Sequence, residues 1–201
     1  MIKAMKWWLN TDIKIEGELP SKDKVVIYAI KHQSAWETVF CTDFFSMPSI
    51  VLKKALIFLP VIGLYFLRSG AIPITRDQGI NALKKMGRNA KIAVKKNRSM
   101  MIFPQGTRVS PGVSSKEKPY LPGVFFLYSQ TKVPVVPVAH NAGLIWPKNS
   151  FIKYPERLSS KSVTLKILPE IQPGLSKKEF LSRLEAEIEN ASNELIKKEL
   201  S

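Results

Sequence analysis

Apolar and polar positions along the chain follow two different periods. VVIYAI (25–30) is a short continuous apolar run and predicts a buried strand. SMMIFP (99–104) predicts a second strand, ending in a Gly-containing turn. VPVVPVA (133–139) is rich in β-branched residues, but its two prolines predict a sheet edge or an irregular strand. SVTLKIL (162–168) alternates polar and apolar positions and predicts a half-exposed strand. Helical periods lie between these strands. Over 78–97, Ile80, Leu83, Met86, Ala90, Ala93 and Val94 recur at helical spacing, and Lys84, Lys85, Arg88, Lys91, Lys95 and Lys96 occupy the other face. Another helix is expected after the polar turn His32–Ser34. A Ser-x-x-Glu box, Ser176 to Glu179, opens a terminal amphipathic helix over 176–200, with Phe180, Leu181, Leu184 and Ile188 on its apolar face. Alternating strands and helices predict an α/β fold, a layered domain whose mostly central β-sheet is flanked by helices.

Length changes little in this picture. The 201 residues are enough for one good-sized core, so 1–201 reads as one domain. The composition, 45% hydrophobic and 23% charged, is that of a folded globular protein. The charge is more informative: 31 Lys+Arg against 16 Asp+Glu give +15 and a pI near 9.9. Such a surface attracts nucleic acid, anionic lipid headgroups, phosphorylated metabolites or an acidic carrier protein. Cys41 is the only cysteine, which excludes an internal disulfide and multi-cysteine zinc sites, fits a reducing setting and reads as a small core residue.

No signal peptide is evident. ALIFLPVIGLYFL (55–67) is too short to cross a bilayer, and Pro60 and Gly63 interrupt it. It is read either as a buried, kinked core helix or as a segment lying in a membrane interface. The start of the chain, 1–12, with Trp7 and Trp8 beside Lys3 and Lys6, suits an interface too.

Few residues could carry chemistry. His32 follows a predicted strand, where α/β folds place reactive groups. Glu37 lies five residues on. If a helix begins at Ser34, Glu37 falls in its first turn and the imidazole can fold back to it, fixing the His tautomer. Ser34-Ala-Trp-Glu37 is also a capping box, so Glu37 could equally serve the Ser34 N–H. His140 also follows a strand and is read as structural. FPQGTR (103–108) runs a strand into a tight turn at Gly106, then offers the Thr107 hydroxyl and the planar Arg108 guanidinium to an anion. Arg76, in SGAIPITRD (69–77), is a second candidate or a surface arginine. The chain has no G-x-S-x-G elbow, Walker A loop, G-x-G-x-x-G, metal-spaced His/Cys cluster or nucleic-acid recognition motif.

Taken in order, His32-x4-Glu37, Gly70–Arg76 (GAIPITR), Phe103–Arg108 (FPQGTR) and Val133–Pro137 (VPVVP) resemble the four-block signature of the glycerolipid acyltransferases. The closest resemblance is to the bacterial 1-acyl-sn-glycerol-3-phosphate acyltransferases. It covers roughly 13–155, including NAGLIWPKNSF (141–151) after the fourth block.

The resemblance implies the acyltransferase fold and a role for each matching residue. His32, oriented by Glu37, would deprotonate the free sn-2 hydroxyl of lysophosphatidic acid. That hydroxyl would attack the thioester of acyl-CoA or acyl-acyl carrier protein, giving phosphatidic acid. Arg108, Arg76 and Lys53 would grip the phosphate, with Thr107, Gly106 and Gln105 beside them. Lys54 leaves the choice of lysine open. No metal or other cofactor is implied. The partners would be the donor, the lysophospholipid and an anionic membrane surface, at the cytoplasmic face of the cell membrane, peripheral or monotopic, with no nucleic acid.

Four positions depart from the family's habit. Glu37 stands where Asp is usual, lengthening the reach by about 1.5 Å. Gln105 replaces a Glu and could hydrogen-bond a glycerol hydroxyl. Thr75 replaces an Asp, and Ala55 a Glu. An acceptor such as glycerol 3-phosphate or another lysolipid is the nearest alternative. A non-catalytic basic protein binding membrane or nucleic acid would leave the His32 and FPQGTR blocks without purpose.

Overall fold

A computed structural model of the chain describes residues 11–75, 79–150, 152–154, 157 and 162–200. The strands are β1 (Asp12–Glu16), β2 (Ile27–Ile30), β3 (Ser49–Lys53), β4 (Ile72–Ile74), β5 (Met100–Ile102), β6 (Val135–His140) and β7 (Ser162–Ile167). They form one sheet in the order β1-β7-β6-β2-β5-β3-β4. Every neighbouring pair is parallel except β6 and β7. The helices are α1 (Trp36–Phe44), α2 (Ile62–Arg68), α3 (Gly79–Lys95), α4 (Gly123–Thr131) and α5 (Lys177–Leu200), with a 3₁₀ turn at Lys54–Phe58.

The pleat of β2 explains the layers. Tyr28 and Ile30 point to one face, where Trp36 and Phe40 of α1 and Phe66 of α2 cover them. Ile27 and Ala29 point to the other, against Met86 of α3, Leu127 of α4 and Phe180 of α5. All four strand residues are buried, as a parallel strand covered on both faces requires. The apolar run at 25–30 therefore carried its strand signal for this reason. Cys41 is buried in the first layer, as expected.

Several expectations need correction. The stretch 133–139 is neither an edge nor irregular: β6 is fully buried between β7 and β2. Pro137 is tolerated because it faces the chain just past the end of β7, where Leu168 N–H donates to its carbonyl at 3.0 Å. SVTLKIL is not half-exposed, because β1 pairs along the outside of β7 and four of its six residues are buried. Ile80 lies in the first turn of α3 and is 71% exposed instead of joining the apolar face. The kinked core helix at 55–67 does not exist. The segment is the 3₁₀ turn, a break around Leu59–Val61 and α2, and most of it faces outward. Strands β1 and β3 and helix α4 were not anticipated. Among the described residues, no helix is long and apolar enough to cross a membrane.

The terminal helix begins as its box predicts. Glu179 accepts the Ser176 N–H at 3.0 Å, and Ser176 Oγ accepts the Glu179 N–H at 3.3 Å. Strands β2, β5, β3, β4 and β6 all run the same way, so their C-terminal ends share one edge of the sheet. The chain leaves those ends at Lys31, Phe103, Lys54, Thr75 and Asn141. Among the described residues, every candidate lies at or just beyond that edge.

Candidate active site

His32 sits two residues past β2, and α1 begins four residues later. Its Nδ1 lies 2.6 Å from Glu37 Oε1. The same oxygen accepts the N–H groups of Gln33 and Ser34 at 3.0 Å, and Oε2 accepts Ser34 N–H at 3.1 Å. The two sequence readings of Glu37 are thus both met by one carboxylate. It caps the turn and holds the imidazole. The capping box is only half formed, because Ser34 Oγ takes the N–H of Trp36. The extra methylene of Glu is accommodated with the carboxylate fully buried in the first turn of α1.

A carboxylate can only accept, so Nδ1 carries the proton and Nε2 is the basic nitrogen of His32. Burial pulls the Glu37 carboxyl upward. His140, the hydrogen bond and charge of His32, and the Ser34 N–H outweigh it, so the carboxyl lies below its ordinary value and stays ionised. Phe103 stacks on the His32 ring at 4.0 Å between centroids. It comes from the third sequence block, so the stack joins two blocks.

His140 ends β6 and is wholly buried. The Ala142 N–H donates to its Nδ1 at 3.2 Å, so Nε2 carries its proton and donates to the Lys31 carbonyl at 2.7 Å. Burial depresses its pKa, against the pull of Glu37, whose Oε2 is 3.8 Å away. A neutral imidazole therefore braces the residue before His32. The sequence reads His140 as structural and shows no carboxylate close to it along the chain. Glu37 is its neighbour in space, 103 positions away, and only the pairing of β6 with β2 brings them together.

The FPQGTR loop is closed by Gly106 N–H donating to the Phe103 carbonyl at 2.9 Å, with Gly106 at φ +65°. Past the turn, Val109 N–H donates to the His32 carbonyl at 2.7 Å. A cavity of about 390 Å³ opens beside this junction. His32, Lys53, Gly106, Thr107 and Arg108 form its polar part, while Ile50, Leu52, Phe66 and Ile102 are among its apolar walls. Arg108 has a 3.5 Å contact with Asn149 Oδ1, at the limit of a hydrogen bond, so its guanidinium can serve an incoming anion. Lys53 lines the cavity and Lys54 does not. Arg76 lies outside the described residues.

Gln105 lies behind the loop. Its side chain is buried, and Nε2 donates to the Lys118 carbonyl at 2.8 Å. It braces the loop from behind and does not line the cavity. Three residues went unnoticed in the sequence: Lys31, Tyr120 and Glu189. The Lys31 ammonium is buried against Glu189 Oε1 at 2.5 Å, and Tyr120 OH donates to that oxygen at 2.9 Å. Only the apolar setting of a lysine directly after VVIYAI hinted at this. Among the described residues, no group of three His, Cys, Asp or Glu could hold a metal ion.

The geometry brings a histidine of fixed tautomer, two cationic side chains and apolar walls to one cavity. A profile of the acyltransferase family matches residues 12–141. Over 137 residues, 68% of this chain, it is 39% identical to the 1-acyl-sn-glycerol-3-phosphate acyltransferase of Pseudomonas aeruginosa, and covers 51% of that protein. Identity to the protein of the same name in Saccharomyces cerevisiae is 29% over 148 residues, 72% of this chain and 48% of that one. Among solved structures, the 1-acyl-sn-glycerophosphate (LPA) acyltransferase, PlsC, of Thermotoga maritima matches with a TM-score of 0.76 and 25% identity, over 96% of this chain and 76% of that one. The chain spans about half the length of the curated relatives it matches.

Proposed function

The chain belongs to the acyltransferase family, and on that basis we propose that it transfers a fatty acyl group from a thioester donor to the sn-2 hydroxyl of lysophosphatidic acid. The observation that carries this reading is His32, its Nδ1 held by buried Glu37, at the wall of a cavity that Lys53 and Arg108 also line. His32 Nε2 removes the hydroxyl proton. The oxygen attacks the thioester carbonyl carbon, and the tetrahedral intermediate collapses with loss of the thiolate. The imidazolium returns the proton to the sulfur, and phosphatidic acid is left. A thiolate leaves readily, so a base and good positioning suffice without a protein nucleophile.

Arg108, Lys53 and the Thr107 hydroxyl hold the acceptor phosphate, with the Gly106 backbone beside them. Arg76, two residues past β4, completes the cationic end in this reading. The apolar walls take the acyl chains. The donor is acyl-CoA or acyl-acyl carrier protein, and no other cofactor is called for. In this reading the chain works at the cytoplasmic face of the cell membrane, with peripheral or monotopic attachment.

The test is a matrix of donors and acceptors with the His32→Ala variant as control. Wild type should acylate lysophosphatidic acid, and folded His32→Ala should lose at least about 10²-fold in rate. Near wild-type turnover of that variant overturns the mechanism. Preference for glycerol 3-phosphate or another lysolipid reassigns the acceptor and leaves the chemistry in place.

A further inference from the structure

Exposed large apolar side chains are concentrated in one short stretch. Leu56, Phe58, Val61, Ile62, Leu64 and Leu67 all lie on the 3₁₀ turn, the break after it and α2, and Phe58, Val61 and Leu64 are 75%, 79% and 68% exposed. The backbone holds them firmly. A Cβ on Gly63 would stand 1.9 Å from the Ile57 carbonyl oxygen, so the turn and helix are locked together by a contact only glycine permits. Val61 sits at φ +62°, an unfavourable conformation for a β-branched residue, and presents its side chain to the outside. A strained residue aimed outward makes sense when something apolar receives it.

The charge around the patch points to the receiver. Asp43 acts on Tyr65 at the inner side of α2, but no Asp or Glu occurs between Phe44 and Arg76, whereas Lys53, Lys54 and Arg68 flank the apolar stretch. The patch is also continuous with the candidate site, because Leu56, Phe66 and Lys53 line the cavity. Apolar tips with a cationic collar match the depth profile of an anionic leaflet, with acyl chains inside and phosphates at the surface.

We propose that the 54–68 segment is a membrane-docking surface that seats the cavity mouth on an anionic phospholipid leaflet. This deepens the functional reading and rests on it for the purpose of docking: a lysophospholipid would pass from leaflet to cavity without entering bulk water. The docking itself is tested independently of catalysis.

A triple variant, Phe58→Ser, Val61→Asn and Leu64→Gln, removes the three most exposed tips. None of them lines the cavity, and Asn accepts positive φ. Wild type should float with phosphatidylethanolamine–phosphatidylglycerol vesicles, and the variant should partition at least about 10-fold less. Turnover on a monomeric short-chain acceptor should be unchanged, while turnover on vesicle-borne acceptor falls. Undiminished flotation of the variant overturns the inference. A dye on Leu64→Cys, selective because Cys41 is buried, should be exposed in lipid-free protein and shift to the blue on vesicles. A dye already buried without lipid overturns it as well, since residues 1–10 or a second copy would then cover the face. Wild type that floats but transfers no acyl group would instead defeat the functional reading alone.

Discussion

The Lys31 ammonium, only 3% exposed, closes onto Glu189 Oε1 at 2.5 Å and so ties the residue before His32 to the terminal helix α5. Tyr120 donates to the same oxygen, so the loop after Arg108 is held by the same carboxylate. Removing one partner strands a buried charge, which costs more than the pair itself contributes. Glu189→Ala should lower unfolding free energy by about 3 kcal/mol. The double variant Lys31→Met with Glu189→Leu should recover much of that. Urea titration of the three proteins checks both statements.

Glu37 should act through geometry as well as charge. Glu37→Gln keeps its size but lets the amide donate to His32 Nδ1, favouring the wrong tautomer. The rate should fall about 10²–10⁴-fold with little change in acceptor KM. Glu37→Asp draws the carboxylate back by about 1.5 Å and should cost about 10- to 100-fold. Asp is the family's usual residue, yet this backbone has settled around the longer chain. Equal rates for Glu37→Asp and wild type would show that the 2.6 Å contact is not required.

Acid should weaken the fold in two stages. His140 is depressed below its ordinary 6.5 by burial, so the unfolded chain takes up that proton first as pH falls. Glu37 is held below its ordinary 4.5, so its contribution is present above that value and is lost as pH falls through the lower folded-state value. Melting temperature should therefore decline below about 6.5 and again, more steeply, below about 4.5. Calorimetry across this range should show the first decline shrinking in His140→Gln. A rise in stability on going from neutral pH to pH 5 would contradict the sign for His140, and a rise from pH 4.5 to pH 3 the sign for Glu37.

Arg108 should matter for the acceptor more than for the donor. Hydrogen bonds to a charged group contribute about 1.5–3 kcal/mol, so Arg108→Ala should raise acceptor KM about 10- to 100-fold. Arg108→Lys keeps the charge but loses the planar fork and should recover only part. Steady-state kinetics with each substrate varied in turn separates the two. An unchanged acceptor KM with a raised donor KM would move the phosphate to another residue.

What the sequence made legible was local or patterned. His32 and Glu37 are near neighbours in a turn with its own capping logic, so their meeting could be foreseen. β2 and α3 announced themselves by period. β1 did not, because DIKIE carries charges suited to an edge and has no apolar run. β6 is hidden by its prolines, because only the end of β7 beside Pro137 makes a missing hydrogen-bond donor harmless there. His140 and Glu189 act on the His32 turn from 109 and 158 positions away from Lys31, and only the sheet order and the fold of α5 supply those contacts. Gln105 shows the converse: a plausible position in a motif turns inward, where its Nε2 meets the Lys118 carbonyl.

The hydrogen bond from Val109 N–H to the His32 carbonyl has a wider consequence. In the proposed mechanism it fastens the loop that grips the phosphate to the turn that carries the base. The two ends of the acceptor are then measured against one stiff gauge. A glycerol chain anchored by its phosphate can offer only the carbon whose oxygen falls at the far end of that gauge. Regiochemistry would be written into main-chain spacing, and point substitutions that ruin the rate would leave the position of acylation unchanged.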